Sequence, residues 1–103
     1  MAPTNTLEFQ DLKIDLAARK ATHNKIEIEL TRQEFDLLSY LLENSGNVLT
    51  KKELLEEIWD ILQPTEEDVN KVEVYIGYLR KKLKPFNLDV YINTVRGFGY
   101  RWN

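Results

Sequence analysis

The chain has 103 residues, 43% hydrophobic and 30% charged, with a net charge of −3, which fits one domain around a single modest core. No cysteine and one histidine exclude a disulfide framework and any thiolate or multi-histidine metal site. No run approaches the ~18 apolar residues of a membrane span and no apolar signal region opens the chain, so no membrane partner and a cytoplasmic location are expected.

Residues 1–6 have no pattern of their own and read as a disordered leader or residues added ahead of the domain, which then runs over 7–103. Leu7–Phe9, Leu12–Ile14 and Lys25–Leu30 have the period-2 character of short strands, with Ile26, Ile28 and Leu30 alternating with Glu27 and Glu29. His23-Asn24 reads as a hairpin turn between Lys20–Thr22 and Lys25–Leu30, which makes His23 an exposed turn residue rather than a ligand. This part is expected to form a small antiparallel sheet with one face on the core.

Thr31-Arg-Gln-Glu34 is a capping box that opens a first helix with Phe35, Leu38, Leu41 and Leu42 as its apolar stripe. Gly46 suits a left-handed cap after it. Val48-Leu49 reads as a very short strand. Thr50-Lys-Lys-Glu53 is a second capping box, and the helix it opens carries Leu54, Leu55 and Ile58 and closes at Trp59. Residues 60–67 (Asp60, Ile61, Leu62, Gln63, Pro64, Thr65, Glu66, Glu67) read as a loop, because Pro64 is excluded from a helix interior. Thr65 or Asp68 can cap the next helix.

The helix over 69–83 places Val72, Ile76, Leu79 and Leu83 on one stripe at i, i+4, i+7 and i+11. Its opposite face carries Asn70, Val74, Gly77, Tyr78 and Lys81, an unusual set for a merely solvated surface. Gly77 costs about 1 kcal/mol against Ala inside a helix, which suggests a need for close approach. Pro85 and Asn87 stop this helix. Tyr91–Val95 and Tyr100–Trp102 flank a turn at Arg96-Gly97-Phe98-Gly99, the pattern of a β-hairpin, with Gly97 and Gly99 expected to supply positive φ. Phe35, Trp59 and Trp102 are read as core aromatics.

Charge is segregated along the chain. Residues 1–69 carry 7 Lys and Arg against 15 Asp and Glu, whereas residues 70–103 carry 7 against 2. An acidic body with one basic face suits a nucleic-acid contact limited to that face. The helices at 51–58 and 69–83, joined by a longer than usual turn and followed by a hairpin, outline a winged helix-turn-helix of α+β class.

Three segments also carry a family resemblance: IELTRQEFDLLSYLLENSGNVLTKKELLEEIW (28–59), VEVYIGYLRKKL (72–83) and INTVRGFGYRW (92–102). They resemble the L-T-x-x-E-F-x-L-L, V-D-V-x-I-x-x-L-R-x-K-L and T-V-R-G-x-G-Y runs of the OmpR/PhoB-type effector domains of bacterial two-component response regulators. The resemblance implies a transcription regulator whose third helix enters the major groove, whose hairpin reaches the minor groove, and whose loop before the third helix contacts RNA polymerase. By position it assigns DNA contacts to Asn70, Lys71, Val74, Tyr75, Gly77, Tyr78, Arg80, Lys81, Thr94, Arg96 and Gly97, and the polymerase contact to Asp60–Glu67. It also implies tandem binding to direct repeats, a receiver domain that this chain lacks, and a cognate histidine kinase upstream. The chain is then expected to be either an excised effector domain, the reading its polar first residues favour, or a stand-alone protein, and to be monomeric off DNA.

The chemistry of these residues fits such roles. Asn70 can pair bidentately with adenine and Val74 can pack on a thymine methyl. Tyr78, Arg80, Lys81 and Thr94 can hold phosphates. Arg80 could instead pair with Glu73. Arg96 at a hairpin tip suits a narrow, negative minor groove. Many family members carry Arg where this chain has Asn70, Gly77 and Tyr78. A site leaning toward A·T and a shallower salt dependence are therefore expected. The competing reading is a winged helix that binds protein, favoured by the acidic net charge. A catalytic role is rejected for want of any catalytic constellation, and no cofactor is expected.

Overall fold

The computed structural model describes residues 5–103. The leader assigned to 1–6 therefore lies mostly outside the described residues, although Thr6 already belongs to the first strand. Four strands open the fold, β1 (Thr6–Phe9), β2 (Leu12–Asp15), β3 (Lys20–His23) and β4 (Ile26–Ile28), paired antiparallel in sequence order. Period-2 alternation sends Leu12, Ile14, Ala21 and Ile28 into the core.

The β3–β4 turn is displaced by one residue from its expected place. Asn24 and Lys25 both have positive φ, 51° and 69°, which are the two turn positions of a tight hairpin. His23 is consequently the last residue of β3, half-buried, with its ring edge-on to Phe86 at 5.6 Å. The Ile26–Leu30 alternation also ends early. Ile28 is buried, but Ile26, beside the turn, is 61% exposed.

Helix α1 (Arg32–Glu43) and helix α2 (Lys51–Trp59) begin at Thr31 and Thr50, and each has a complete capping box. Phe35, Leu38, Leu41, Leu42, Leu54 and Leu55 are buried, and Leu37 joins them. Gly46 has φ +89° but lies beyond the C-cap Asn44, where its N–H donates to the Trp102 carbonyl at 2.8 Å. Helix α3 runs over Glu66–Leu83, three residues longer than expected, because Thr65 and Asp68 form a third capping box. Val72, Ile76, Leu79 and Leu83 are each at most 1% exposed and face the core.

A second sheet joins the helices to the C-terminal hairpin. Strand β5 (Leu49–Thr50) pairs with β7 (Gly99–Trp102), which pairs with β6 (Ile92–Val95), in the order β5-β7-β6. Trp102 is fully buried, stacked on Tyr91 at 5.6 Å and met edge-on by Phe9 at 5.3 Å. The hairpin is thus anchored at its base by aromatic packing while its tip projects.

Gly97 has the expected positive φ, +84°. Gly99 does not. Its constraint is space, since a Cβ there would lie 1.9 Å from the Leu49 carbonyl oxygen where β7 runs against β5.

Candidate nucleic-acid interface

Burying Val72, Ile76, Leu79 and Leu83 turns the other side of α3 outward. Asn70, Val74, Gly77, Tyr78 and Lys81 share that side at i, i+4, i+7, i+8 and i+11, and all are exposed. Val74 is 47% and Tyr78 51% exposed, values that place both outside the core. Apart from the adjoining residues and backbone of α3 itself, no atom of the described residues comes within 4 Å of a Cβ built at Gly77. The absent side chain therefore answers to no neighbour in the fold and leaves α3 backbone open to approach from outside.

Lys71 and Tyr75 border this face and are half-buried. Tyr75 lies between two rings, Trp59 at 5.2 Å and Tyr78 at 5.4 Å, both edge-on. Its packing braces Tyr78 on the outer face.

Arg80 does not project from the face. Its Nη2 donates to the Ile92 carbonyl at 2.8 Å and to Thr94 Oγ1 at 2.9 Å. Nor does it pair with Glu73, which instead holds Lys51 of α2 at 2.7 Å. The hydrogen bond that Lys51 Nζ donates to the Glu73 carboxylate is the main cause that raises the Lys51 pKa above its ordinary value, with burial acting against it. This pair ties α2 to α3 across the connector.

At the wing, Thr94, Arg96 and Gly97 are all exposed, and the tip also shows Phe98 at 68% exposure. Residues Thr94–Phe98, Glu73 and the α2 lysines Lys51 and Lys52 line one open cleft. Sequence reasoning read these lysines only as the interior of a capping box and did not place them beside the wing. Two adjacent lysines at the start of a helix-turn-helix's first helix were the available signal.

The connector divides differently from expectation. Asp60 is a left-handed C-cap of α2 with φ 57°. The Ile61 N–H donates to the Leu55 carbonyl at 3.0 Å, which returns the chain to the core. Leu62 is 61% exposed, Gln63 is exposed, Pro64 is half-buried and Thr65 caps α3. Glu66 and Glu67 belong to the first turn of α3 rather than to the loop. Their charges complement the positive helix N-terminus, as Arg80, Lys81 and Lys82 complement its C-terminal end. Among the described residues, no group of three or more His, Cys, Asp or Glu is placed to hold a metal ion, and no helix is long and apolar enough to cross a membrane.

Comparison with known proteins places this geometry. Residues 25–102 match the family described as "Transcriptional regulatory protein, C terminal". The response regulator ArlR of Staphylococcus aureus is 45% identical over 94 residues, covering 91% of this chain and 42% of ArlR. The chain thus spans about 42% of the length of the curated relatives it matches. The DNA-binding domain of Klebsiella pneumoniae RstA, solved in complex with the RstA box, superposes with a TM-score of 0.83 at 29% identity, covering 94% of this chain and 95% of that one. DrrB, a Thermotoga maritima OmpR/PhoB homologue, gives a TM-score of 0.77 at 32% identity over 96% of this chain and 44% of its own.

Proposed function

The chain belongs to the OmpR/PhoB-type family of transcriptional regulatory C-terminal domains, a non-enzymatic family, and from that premise we propose how it engages double-stranded DNA. The carrying observation is the open α3 face. Five side chains or gaps share it, none used by the core, beside an exposed basic hairpin tip on an otherwise acidic chain. In this reading α3 enters the major groove. Asn70 pairs with adenine, Val74 meets a thymine methyl, and Gly77 lets the backbone close on the duplex. Lys71, Tyr75, Tyr78 and Lys81 border the sugar-phosphate strands, and Thr94 holds a phosphate. Arg96, carried by the Gly97 turn, enters the adjacent minor groove.

The wider assignments follow the same premise. Asp60–Thr65, continued by Glu66 and Glu67, presents three acids suited to a basic surface of RNA polymerase. The whole protein carries a receiver domain answered by a histidine kinase and acts in the cytoplasm. Two copies bind direct repeats in tandem, and the domain alone is a monomer off DNA that buries about 600–1,000 Å² on its site.

Selection from a random duplex pool at two salt concentrations tests the reading. A repeated, A·T-leaning half-site should be enriched and should be lost in an Asn70→Ala/Arg96→Ala variant. No enrichment at low salt overturns it, and would favour a protein ligand for the same face.

A further inference from the structure

Arg80 is the only arginine of α3, and its guanidinium is turned to the wing. The two bonds from Nη2, to Ile92 O and Thr94 Oγ1, use both protons of that nitrogen. The guanidinium carbon also lies 5.8 Å from the centroid of the Tyr100 ring, within cation–π range. Ile92 and Thr94 belong to β6 and Tyr100 to β7, and Thr94 faces Tyr100 in the register. One α3 side chain therefore grips both strands of the wing. Tyr100 is only 5% exposed and pairs with Leu49 of β5, so the grip bears on a strand already fixed.

The bond to Thr94 has a directional consequence. A hydroxyl that accepts a guanidinium proton on one lone pair sends its own proton elsewhere. Thr94 is exposed, so that proton is available to an outside acceptor. We infer that Arg80 is a positioning residue: it sets the wing against α3 and orients the Thr94 hydroxyl to donate to a DNA phosphate, without holding a phosphate itself. This rests on the DNA reading above.

The test is the affinity of the chain for a selected duplex across a salt series, for wild type, Arg80→Lys, Arg80→Ala, Thr94→Val and Arg80→Ala/Thr94→Val. Lysine keeps the charge but lacks the planar two-pronged donor. Arg80→Lys should therefore lose about tenfold in affinity, the scale of one charge-assisted hydrogen bond, and so should Arg80→Ala. Neither should change the slope of log affinity against log salt, and the double variant should bind no more weakly than the weaker single one. Amide exchange at Val95 and Phe98 should quicken in Arg80→Lys without DNA, a readout that needs no ligand. A direct phosphate contact predicts the reverse and would overturn the inference: Arg80→Lys near wild type, the Arg80→Ala slope lower by about 0.9, and losses that add. If wild type binds no duplex, the DNA reading itself fails. If Val95 and Phe98 exchange is unchanged in a folded Arg80→Lys, the positioning role fails whatever the affinity.

Discussion

The Leu49 carbonyl oxygen lies 1.9 Å from the point where a Cβ on Gly99 would stand. Backbone meets backbone there, and neither strand can yield without breaking the β5–β7 pairing. Gly99→Ala should cost about 3 kcal/mol, at the upper end of overpacking penalties. Urea unfolding checks it. A loss below about 0.5 kcal/mol would mean that β5 can move away.

Gly77 is the opposite case. It is helical and, apart from the adjoining residues and backbone of α3 itself, nothing among the described residues lies within 4 Å of its missing Cβ. Gly77→Ala should stabilise the chain by about 0.5–1 kcal/mol through helix propensity and a less flexible unfolded chain. If α3 backbone approaches DNA at this point, the same variant should bind its duplex more weakly. Thermal melts and anisotropy titrations on one sample separate the two effects.

Glu34 is 3% exposed, and its Oε1 accepts from Lys82 Nζ at 3.0 Å and from the Thr31 N–H at 2.9 Å. One carboxylate thus caps α1 and fastens it to the end of α3. Lys82→Met should cost about 2 kcal/mol by leaving a buried charge with fewer partners. Lys13→Met, which removes an exposed pair with Glu8 at 4.0 Å, should stay within about 0.5 kcal/mol. Chemical denaturation of both variants should show that contrast.

The third cap is sensitive to acid. Hydrogen bonding to the Thr65 backbone lowers the Asp68 pKa below its ordinary 3.8. The stabilisation is therefore present above pH 3.8 and lost as pH falls through the lower, folded value. At the other end, the raised Lys51 pKa means its pairing with Glu73 is kept below pH 10.5 and lost as pH rises through the folded value above it. Asp68→Asn should flatten the acid limb of the stability profile and leave the alkaline limb unchanged.

Legibility followed the range of the interactions. Thr31 and Thr50 announce α1 and α2 because a capping box spans only three residues. The same box at Thr65 reads only as one of two candidate caps, since Asp68 stands where Glu or Gln is usual and Pro64 precedes it. The stripe of Val72, Ile76, Leu79 and Leu83 is readable from period alone, and so is the outward set on α3. The partners of Arg80 lie 12 and 14 residues away, beyond any helical or strand period. Gly99 looks like a turn glycine because its real neighbour, Leu49, is distant in sequence. The one-residue shift of the β3–β4 turn arises because Lys25 adopts positive φ, a conformation its residue type does not announce.

The central claim is that one face of α3 and the wing tip meet DNA together. Chemical-shift mapping of the isotopically labelled chain with a selected duplex tests it most directly. The largest changes are predicted at Asn70, Val74, Gly77, Lys81, Thr94 and Arg96, with little change on β1–β4. Changes confined to the acidic α1–α2 surface, or the same shifts produced by any polyanion at equal charge, would contradict it.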